Sequence, residues 1–158
     1  MPLYLVQHGK NLPKDQDPDK GLSPLGAQES EQIAQVAARY SVHVKRILHS
    51  GKKRALQTAE IFARQLNPAE GVHARDGLGP LDDVQAYARE VESQDDHMVV
   101  GHLPFLSRLA SYLVVTDADT PIFQFQNSGI LCLDRQAPDS REWVILWSLT
   151  PRIGESVG

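Results

Sequence analysis

The chain has 158 residues, and its 16 basic and 20 acidic side chains give a formal net charge of −4. This length fits one domain, so we expect residues 1–158 to form a single domain that contains the whole site. The charge balance argues against nucleic acid as a partner. A single cysteine, Cys132, lies in an apolar run, which excludes an internal disulfide and favours a reducing compartment. Neither a basic leader nor an apolar run of membrane-spanning length is evident, so we expect a cytoplasmic protein without a membrane partner.

The first half of the chain predicts strands and helices in alternation. Serines that can cap a helix and prolines that suit its first turn mark the helix starts, and apolar spacing marks the buried faces. In chain order the predicted elements are a strand at 3–7, a loop at 10–20, a helix from Ser23-Pro24 to Ser41, a strand at 44–49, a helix from a Ser50 cap to Asn67-Pro68, and a short strand at 72–74.

The second half continues the alternation and ends with two strands. It predicts a turn at 77–80, a helix from Asp82-Asp83 to about Val91, a strand at 98–100, a helix that Pro104 opens, and strands at 129–133 and 143–149 paired across a turn. Together these elements predict an α/β fold of three layers, in which helices flank both faces of a mostly parallel sheet.

Two histidines follow the ends of predicted strands. Leu3 to Gln7 is followed by His8-Gly9, and a later apolar strand is followed by Gly101-His102. The carboxyl ends of parallel strands share one edge of a sheet, and ligands bind at that edge. We therefore expect His8, the turn at 50–54 and His102 to converge.

Three cations occupy the first turn of the helix that follows Ser50. Lys52, Lys53 and Arg54 all oppose the helix macrodipole there, so an anion nearby would offset an unfavourable arrangement. Arg54 is the best candidate to face the pocket because its planar fork can bind two phosphoryl oxygens at once. The alternative is a solvated basic turn on the surface.

Two histidines, an arginine and two helix N-termini suggest phosphoryl transfer. One imidazole would attack phosphorus, while the other imidazole, Arg54 and the Leu103 N–H would bind the transferring oxygens. Each histidine alone is more often structural, and the other four, His43, His49, His73 and His97, are read as structural or surface residues. Metal-binding, nucleotide-binding and nucleophile-elbow motifs do not appear, so we expect no metal and no cofactor.

These motifs, in this order, resemble the histidine phosphatase superfamily, which shares its fold with the phosphoglycerate mutases. Gln7-His8-Gly9 resembles the family's Arg-His-Gly opening, residues 50–58 its second arginine element, and Gly101-His102 its second histidine. The short length and Asn127-Ser128-Gly129 are similar to the SixA-type phosphohistidine phosphatases. The resemblance implies that His8 is the phosphorylated nucleophile and that Arg54 and His102 form the phosphate pocket.

The chain departs from the family's pattern at Gln7, which stands where the family usually has arginine. The pocket therefore lacks a cation that could make a bidentate contact. Lys10 is a candidate to replace the charge, and the Gln7 amide can still donate a hydrogen bond to phosphate. Lys20 and Arg152 are further candidates to face the pocket. Three outcomes stay open: an enzyme with a different pocket, a weak enzyme, or a binding protein without turnover.

The turn at 77–80 carries no carboxylate where family members that cleave phosphate esters have a general acid. The imidazole of a phosphohistidine needs an acid less than an alkoxide does, which favours a phosphoramidate substrate. Asp82 and Asp83, and Asp15, Asp17 and Asp19 in the loop at 10–20, are candidate acids, although helix capping and loop solvation explain them at least as well. We therefore predict a protein phosphohistidine phosphatase whose partner is a histidine-phosphorylated signalling or phosphotransfer protein. The alternatives are a small-molecule phosphomonoesterase and a noncatalytic phosphohistidine-binding module.

Overall fold

Strands and helices alternate along the computed structural model, which describes residues 1–91 and 96–154. The elements in chain order are β1 (Leu3–Gln7), α1 (Pro24–Arg39), β2 (Arg46–His49), α2 (Lys53–Leu66), β3 (Val72–Ala74), α3 (Val84–Val91), β4 (His97–Gly101), α4 (Phe105–Val115), β5 (Ile130–Arg135) and β6 (Trp143–Leu149).

One sheet joins all six strands in the order β3-β2-β4-β1-β5-β6. The strands β3, β2, β4 and β1 run parallel, whereas β5 is antiparallel to β1 and forms a hairpin with β6. The predicted α/β fold with a mostly parallel sheet and a final hairpin is therefore confirmed.

The side chains of β1 show why the molecule has three layers. Leu3 and Leu5 belong to a core that also contains the buried side chains of α3 and α4. Tyr4 and Val6 point to the opposite face, in a core with the buried side chains of α1 and α2. Successive strand residues face opposite sides of a sheet, so two helices cover each face of β1 and both faces are apolar.

The ends of α1 and α2 differ in how they are capped. Ser23 accepts a hydrogen bond from the Gly26 N–H at 3.0 Å and caps α1, as predicted. The prediction that Ser50 caps α2 is wrong, because the N-cap residue is Lys52, which makes no side-chain capping bond. The strand before α2 is also shorter than predicted and begins at Arg46.

The parallel pairing brings three strand ends to one edge of the sheet. Gln7 pairs with Gly101, the last residue of β4, and His49 at the end of β2 pairs with Val100. The residues that follow β1, β2 and β4 therefore start from the same edge, and the site lies there. Among the described residues, no helix has the length and apolar character needed to cross a membrane.

Candidate active site

The backbone around His8 is held by hydrogen bonds from three other parts of the chain. The His8 N–H donates to Gly101 O at 3.0 Å, and Asn127 Nδ2 donates to His8 O at 2.8 Å. The Gly9 N–H donates to Thr58 Oγ1 at 2.9 Å. A Cβ at position 9 would lie 2.8 Å from Ser30 Oγ, so the close packing behind His8 requires glycine. These contacts fix the position of the His8 backbone.

The hydrogen bonds of the His8 ring identify its tautomer. Nδ1 lies 2.7 Å from Gly9 O, and a carbonyl oxygen can only accept, so Nδ1 carries the proton. The Nε2 atom of the neutral ring is then unprotonated and carries the lone pair. Burial lowers the pKa of His8 and the charge of Arg54 lowers it further, while the hydrogen bond to Gly9 O acts in the opposite direction. The neutral ring, which is the nucleophilic form, is therefore favoured.

Arg54 approaches the same nitrogen from the first turn of α2. Its Nε donates to His8 Nε2 at 3.3 Å. The Thr58 hydroxyl donates to Arg54 O at 2.8 Å while it accepts from Gly9 N, so one buried side chain joins the arginine's helix to the histidine's loop. The guanidinium thus lies beside the atom from which a nucleophilic attack would start, where it can bind oxygens of a phosphoryl group.

His102 completes the group from the end of β4. Its ring centroid lies 5.1 Å from that of His8, and its Nε2 lies 2.6 Å from Ser50 Oγ. The ring is buried, and its Nδ1 has no hydrogen-bond partner within the described ranges. Burial lowers the pKa of His102 to about 3, with further contributions from His8, Arg54 and Lys52. Arg54 and Lys52 place positive charge around this ring, which an arriving phosphoryl anion would offset.

The remaining pocket candidates lie around this group in different environments. Gln7 ends β1 next to His8, and its buried Oε1 has no hydrogen-bond partner among the residues described. Leu103 follows His102 and is partly exposed. The Lys10 ammonium lies 4.0 Å from the buried Glu29 carboxylate, and Arg152 Nε lies 3.3 Å from the same carboxylate. Lys10 and Arg152 are thus paired with an acid of α1.

The two candidate acids make local backbone contacts. Asp82 accepts from the Gly79 N–H at 2.7 Å, and Asp83 accepts from the Gln85 N–H at 2.9 Å at the start of α3. The turn before them packs near the site, since Leu78 O would lie 3.8 Å from a Cβ at position 101. Both carboxylates are exposed and act as turn or helix caps.

The other four histidines are outside this group. His49 Nδ1 accepts from the Gly51 N–H at 3.1 Å, and His97 Nε2 lies 2.9 Å from the Tyr87 hydroxyl. His73 Nε2 lies 2.5 Å from Glu70 O, and His43 is exposed. Their surroundings agree with structural or surface roles. No three His, Cys, Asp or Glu side chains within residues 1–91 and 96–154 form a group that could hold a metal ion.

Several residues of the site were not predicted in the roles that the structure gives them. Ser50 binds the ring of His102 rather than capping α2. Thr58 accepts a hydrogen bond from the Gly9 N–H, and Asn127 donates one to the His8 carbonyl oxygen. Ser128 Oγ lies 2.7 Å from Ser30 Oγ, and its N–H donates to Gln7 O. Ser50, Thr58, Asn127 and Ser128 belong to the motifs that resemble the family, and this is the sequence signal that could have indicated them.

Comparisons with known proteins identify the family and the fold. The model of the histidine phosphatase superfamily (branch 1) matches residues 3–83. No curated protein sequence is significantly similar to the chain. Among solved structures, the protein histidine phosphatase SixA in complex with tungstate has a TM-score of 0.83 at 24% identity, over 96% of this chain and 97% of that one.

Two further structures show how widely the fold is shared. A candidate phosphohistidine phosphatase SixA from Agrobacterium tumefaciens has a TM-score of 0.75 at 25% identity, over 95% of this chain and 97% of that one. A mycobacterial glucosyl-3-phosphoglycerate phosphatase has a TM-score of 0.70 at 16% identity, over 92% and 98%. The fold is thus the phosphoglycerate mutase-like α/β fold that the sequence motifs implied, and the chain belongs to the histidine phosphatase superfamily.

Proposed function

We propose that the protein removes phosphate from phosphohistidine on a protein substrate, through an intermediate in which His8 carries the phosphoryl group. The family and the structural neighbours support a phosphatase. The observation that carries the finer proposal is the 3.3 Å contact between Arg54 Nε and His8 Nε2. It places a guanidinium beside an unprotonated histidine nitrogen, whose lone pair can attack phosphorus.

The reaction has two steps with balanced bonds. First, the lone pair of His8 Nε2 attacks phosphorus, the P–N bond of the substrate breaks, and the leaving imidazole nitrogen takes a proton from solvent. Arg54 and His102 bind the phosphoryl oxygens during this transfer. Second, a water molecule attacks phosphorus, the bond to Nε2 breaks, and inorganic phosphate and the neutral His8 ring are released.

The environment of the nearby carboxylates supports a phosphoramidate substrate. Asp82 and Asp83 both accept hydrogen bonds from backbone N–H groups, and both are exposed. These contacts direct both carboxylates to the backbone, so neither is engaged with the catalytic group, where a general acid would have to protonate an alkoxide leaving group. An imidazole leaving group makes a smaller demand.

The test is hydrolysis of a histidine-phosphorylated carrier protein, without added metal, by wild type, His8→Ala and His43→Ala. The exposed His43 provides a matched control because it is the same residue type outside the site. We expect wild type and His43→Ala to release phosphate at equal rates and His8→Ala to lose at least about 1,000-fold in kcat. A radiolabelled substrate should transfer its label transiently to wild type.

Two results would contradict the proposal. Equal rates for His8→Ala and wild type, with both folded by circular dichroism, would remove His8 as the nucleophile. A folded wild type that leaves the phosphocarrier intact would remove phosphohistidine as the substrate.

A small-molecule phosphomonoesterase is the second candidate. Structures that match the fold include a glucosyl-3-phosphoglycerate phosphatase and a phosphoserine phosphatase from Entamoeba histolytica, the latter at a TM-score of 0.65 and 16% identity. This candidate predicts turnover of sugar or amino-acid phosphates that Asp82→Asn or Asp83→Asn reduces. The same two variants should leave phosphohistidine hydrolysis unchanged if the first proposal is correct.

The Gln7→Arg variant tests whether the missing cation limits turnover. An arginine at the end of β1 would supply a second guanidinium for the phosphoryl group, so we expect kcat/KM to rise by roughly tenfold. Tight binding of the phosphocarrier by wild type without turnover, together with activity in Gln7→Arg, would instead favour a phosphohistidine-binding module.

A further inference from the structure

We propose that a lysine-lined cleft beside the active site binds an acidic segment that flanks the phosphohistidine of the protein substrate. This inference rests on the proposed function, because it concerns what lies next to the phosphoryl group. The cleft, here called the lysine cleft, has a volume of about 620 Å³ between the loop at 14–20 and the start of α2. Its charged lining residues are Lys14, Asp19, Lys20, Lys52, Lys53 and Arg54.

The first argument is the local concentration of charge. The whole chain carries more acids than bases, yet cations clearly outnumber acids in the lysine cleft. Lys53 pairs with Asp17 at 2.8 Å. Lys14, Lys20 and Lys52 are exposed, and they form no ion pair with any residue in the described part of the chain. Their charges are therefore available to an anionic partner.

The second argument is that the two walls of the cleft are fastened to each other. The Asp17 carboxylate accepts from the Asp19 N–H, from the Gly21 N–H at 2.8 Å and from Lys53 Nζ. These bonds hold the pKa of Asp17 at about 2, so it stays ionised. Gln57 Oε1 accepts from the Leu22 N–H at 2.7 Å and makes a second link. The loop is thus tied to α2, and its lysines are presented on a formed surface.

The third argument is the position of the cleft relative to the chemistry. Arg54 lines the lysine cleft and also donates to His8 Nε2, so the cleft adjoins the catalytic group through this residue. Lys52, the N-cap residue of α2, adds its charge where the helix dipole is positive, and its side chain makes no capping hydrogen bond. An anion in the cleft would be stabilised by both effects.

The side chains favour an acidic polypeptide over a second phosphate of a small metabolite. Apart from Arg54, the cations are lysines, which are flexible point charges without the fork that fixes a phosphate group. Four lysines line the cleft. Such a surface matches several carboxylates in series and accelerates association with an acidic partner.

The test uses two peptides, one in which glutamates flank the phosphohistidine and one in which serines flank it. Wild type and the Lys14→Glu/Lys20→Glu variant are each assayed with both peptides. Neither side chain forms a hydrogen bond or ion pair with a described residue, so Lys20, a pocket candidate by sequence, lines the cleft without a polar contact to His8, Arg54 or His102. Arg141→Glu is the control variant, because Arg141 is exposed and far from His8. It follows the C-terminal end of β5, and β5 runs antiparallel to β1, so this end lies beside the start of β1, whereas His8 follows the end of β1. Phosphate release is measured at low and at physiological ionic strength.

We expect wild type to have a KM for the acidic peptide roughly tenfold below that for the serine peptide, with a preference that salt weakens. Lys14→Glu/Lys20→Glu should remove this preference and leave kcat on the serine peptide unchanged, whereas Arg141→Glu should keep it. Equal KM values for both peptides in wild type would overturn the inference, and so would an equal loss on both peptides in the variant.

Failure of the proposed function is distinguishable from failure of this inference. If wild type hydrolyses neither peptide, the phosphatase proposal fails for phosphohistidine, and the cleft is then judged by peptide binding alone. Weaker binding of the acidic peptide by Lys14→Glu/Lys20→Glu than by Arg141→Glu would support the docking surface. Equal binding by the two variants would overturn it.

Discussion

Removal of the Ser50 hydroxyl should impair the active site through His102. Ser50 Oγ lies 2.6 Å from His102 Nε2, and the His102 side chain is only 2% exposed. Ser50→Ala would leave that buried nitrogen without this partner, and Nδ1 already has no partner in the described ranges. A buried polar group left unpaired costs about 1–3 kcal/mol. We therefore expect the free energy of unfolding to fall by that amount.

The same change should lower activity because it frees the His102 ring to turn. If about 1.4 kcal/mol of the lost interaction also supports the transition state, kcat/KM falls about tenfold. Urea unfolding and phosphate release from a phosphohistidine substrate measure the two effects separately. Ser50→Thr keeps the hydroxyl and should retain most of the activity.

A double-mutant cycle can refute this reasoning. In a His102→Ala background the hydroxyl has no ring to hold, so Ser50→Ala should change kcat/KM by less than about twofold. A full tenfold loss in that background would show that Ser50 acts on the substrate or on α2 instead. The contact with the Lys52 N–H, at 3.4 Å, is the structural basis for that alternative.

Two other measurements test the electrostatics and the packing. Folding lowers the pKa of His8, and it lowers the pKa of His102 to about 3, from the ordinary histidine pKa of 6.5. Below pH 6.5 the unfolded chain therefore binds more protons than the folded chain. The free energy of unfolding should fall as the pH decreases from 7 toward 3. NMR titration should place both ring transitions below 6.5, and a transition at or above 6.5 would contradict the burial argument. Gly26→Ala should destabilise the fold by about 1–3 kcal/mol in urea, because its Cβ would lie 2.0 Å from Lys10 O. Alanine at the exposed Gln28, in the same helix, should be neutral, and equal stability of both variants would contradict the clash.

The fold was predictable because its elements are encoded locally. Apolar alternation and capping residues mark strands and helices within a few positions, and the first strand was predicted with the observed bounds, Leu3–Gln7. The sequence-based predictions fail where a residue fits a local role but makes a contact with a residue far away in the chain. Ser50 fits a helix cap by sequence, but its hydroxyl binds a histidine 52 positions away that the β2-β4 pairing brings close.

The site was predictable only in part for the same reason. The rule about strand ends indicated that His8, the start of α2 and His102 would converge, and the structure brings them together. No local rule indicates that Asn127 would reach His8 across 119 positions. Nor does spacing along α1 indicate that Glu29 is buried and attracts Lys10, because burial of a charge depends on the partners that the tertiary fold provides.

The position of β1 in the sheet has a consequence for biosynthesis. β1 precedes every other strand in the chain, yet its two neighbours are β4 and β5, which follow much later. The hydrogen bonds that fix His8 come from Gly101 and Asn127, so they cannot form while those residues are still inside the ribosome. During synthesis the apolar β1 segment therefore has no strand partner until β4 has been made. Parallel strands that pair across a long stretch of sequence fold slowly, and an unpaired apolar strand is prone to aggregation. Phosphatase activity should therefore appear only after β5 has emerged. His8, the proposed nucleophile, is among the first residues synthesised, but the hydrogen bonds that hold its backbone form late.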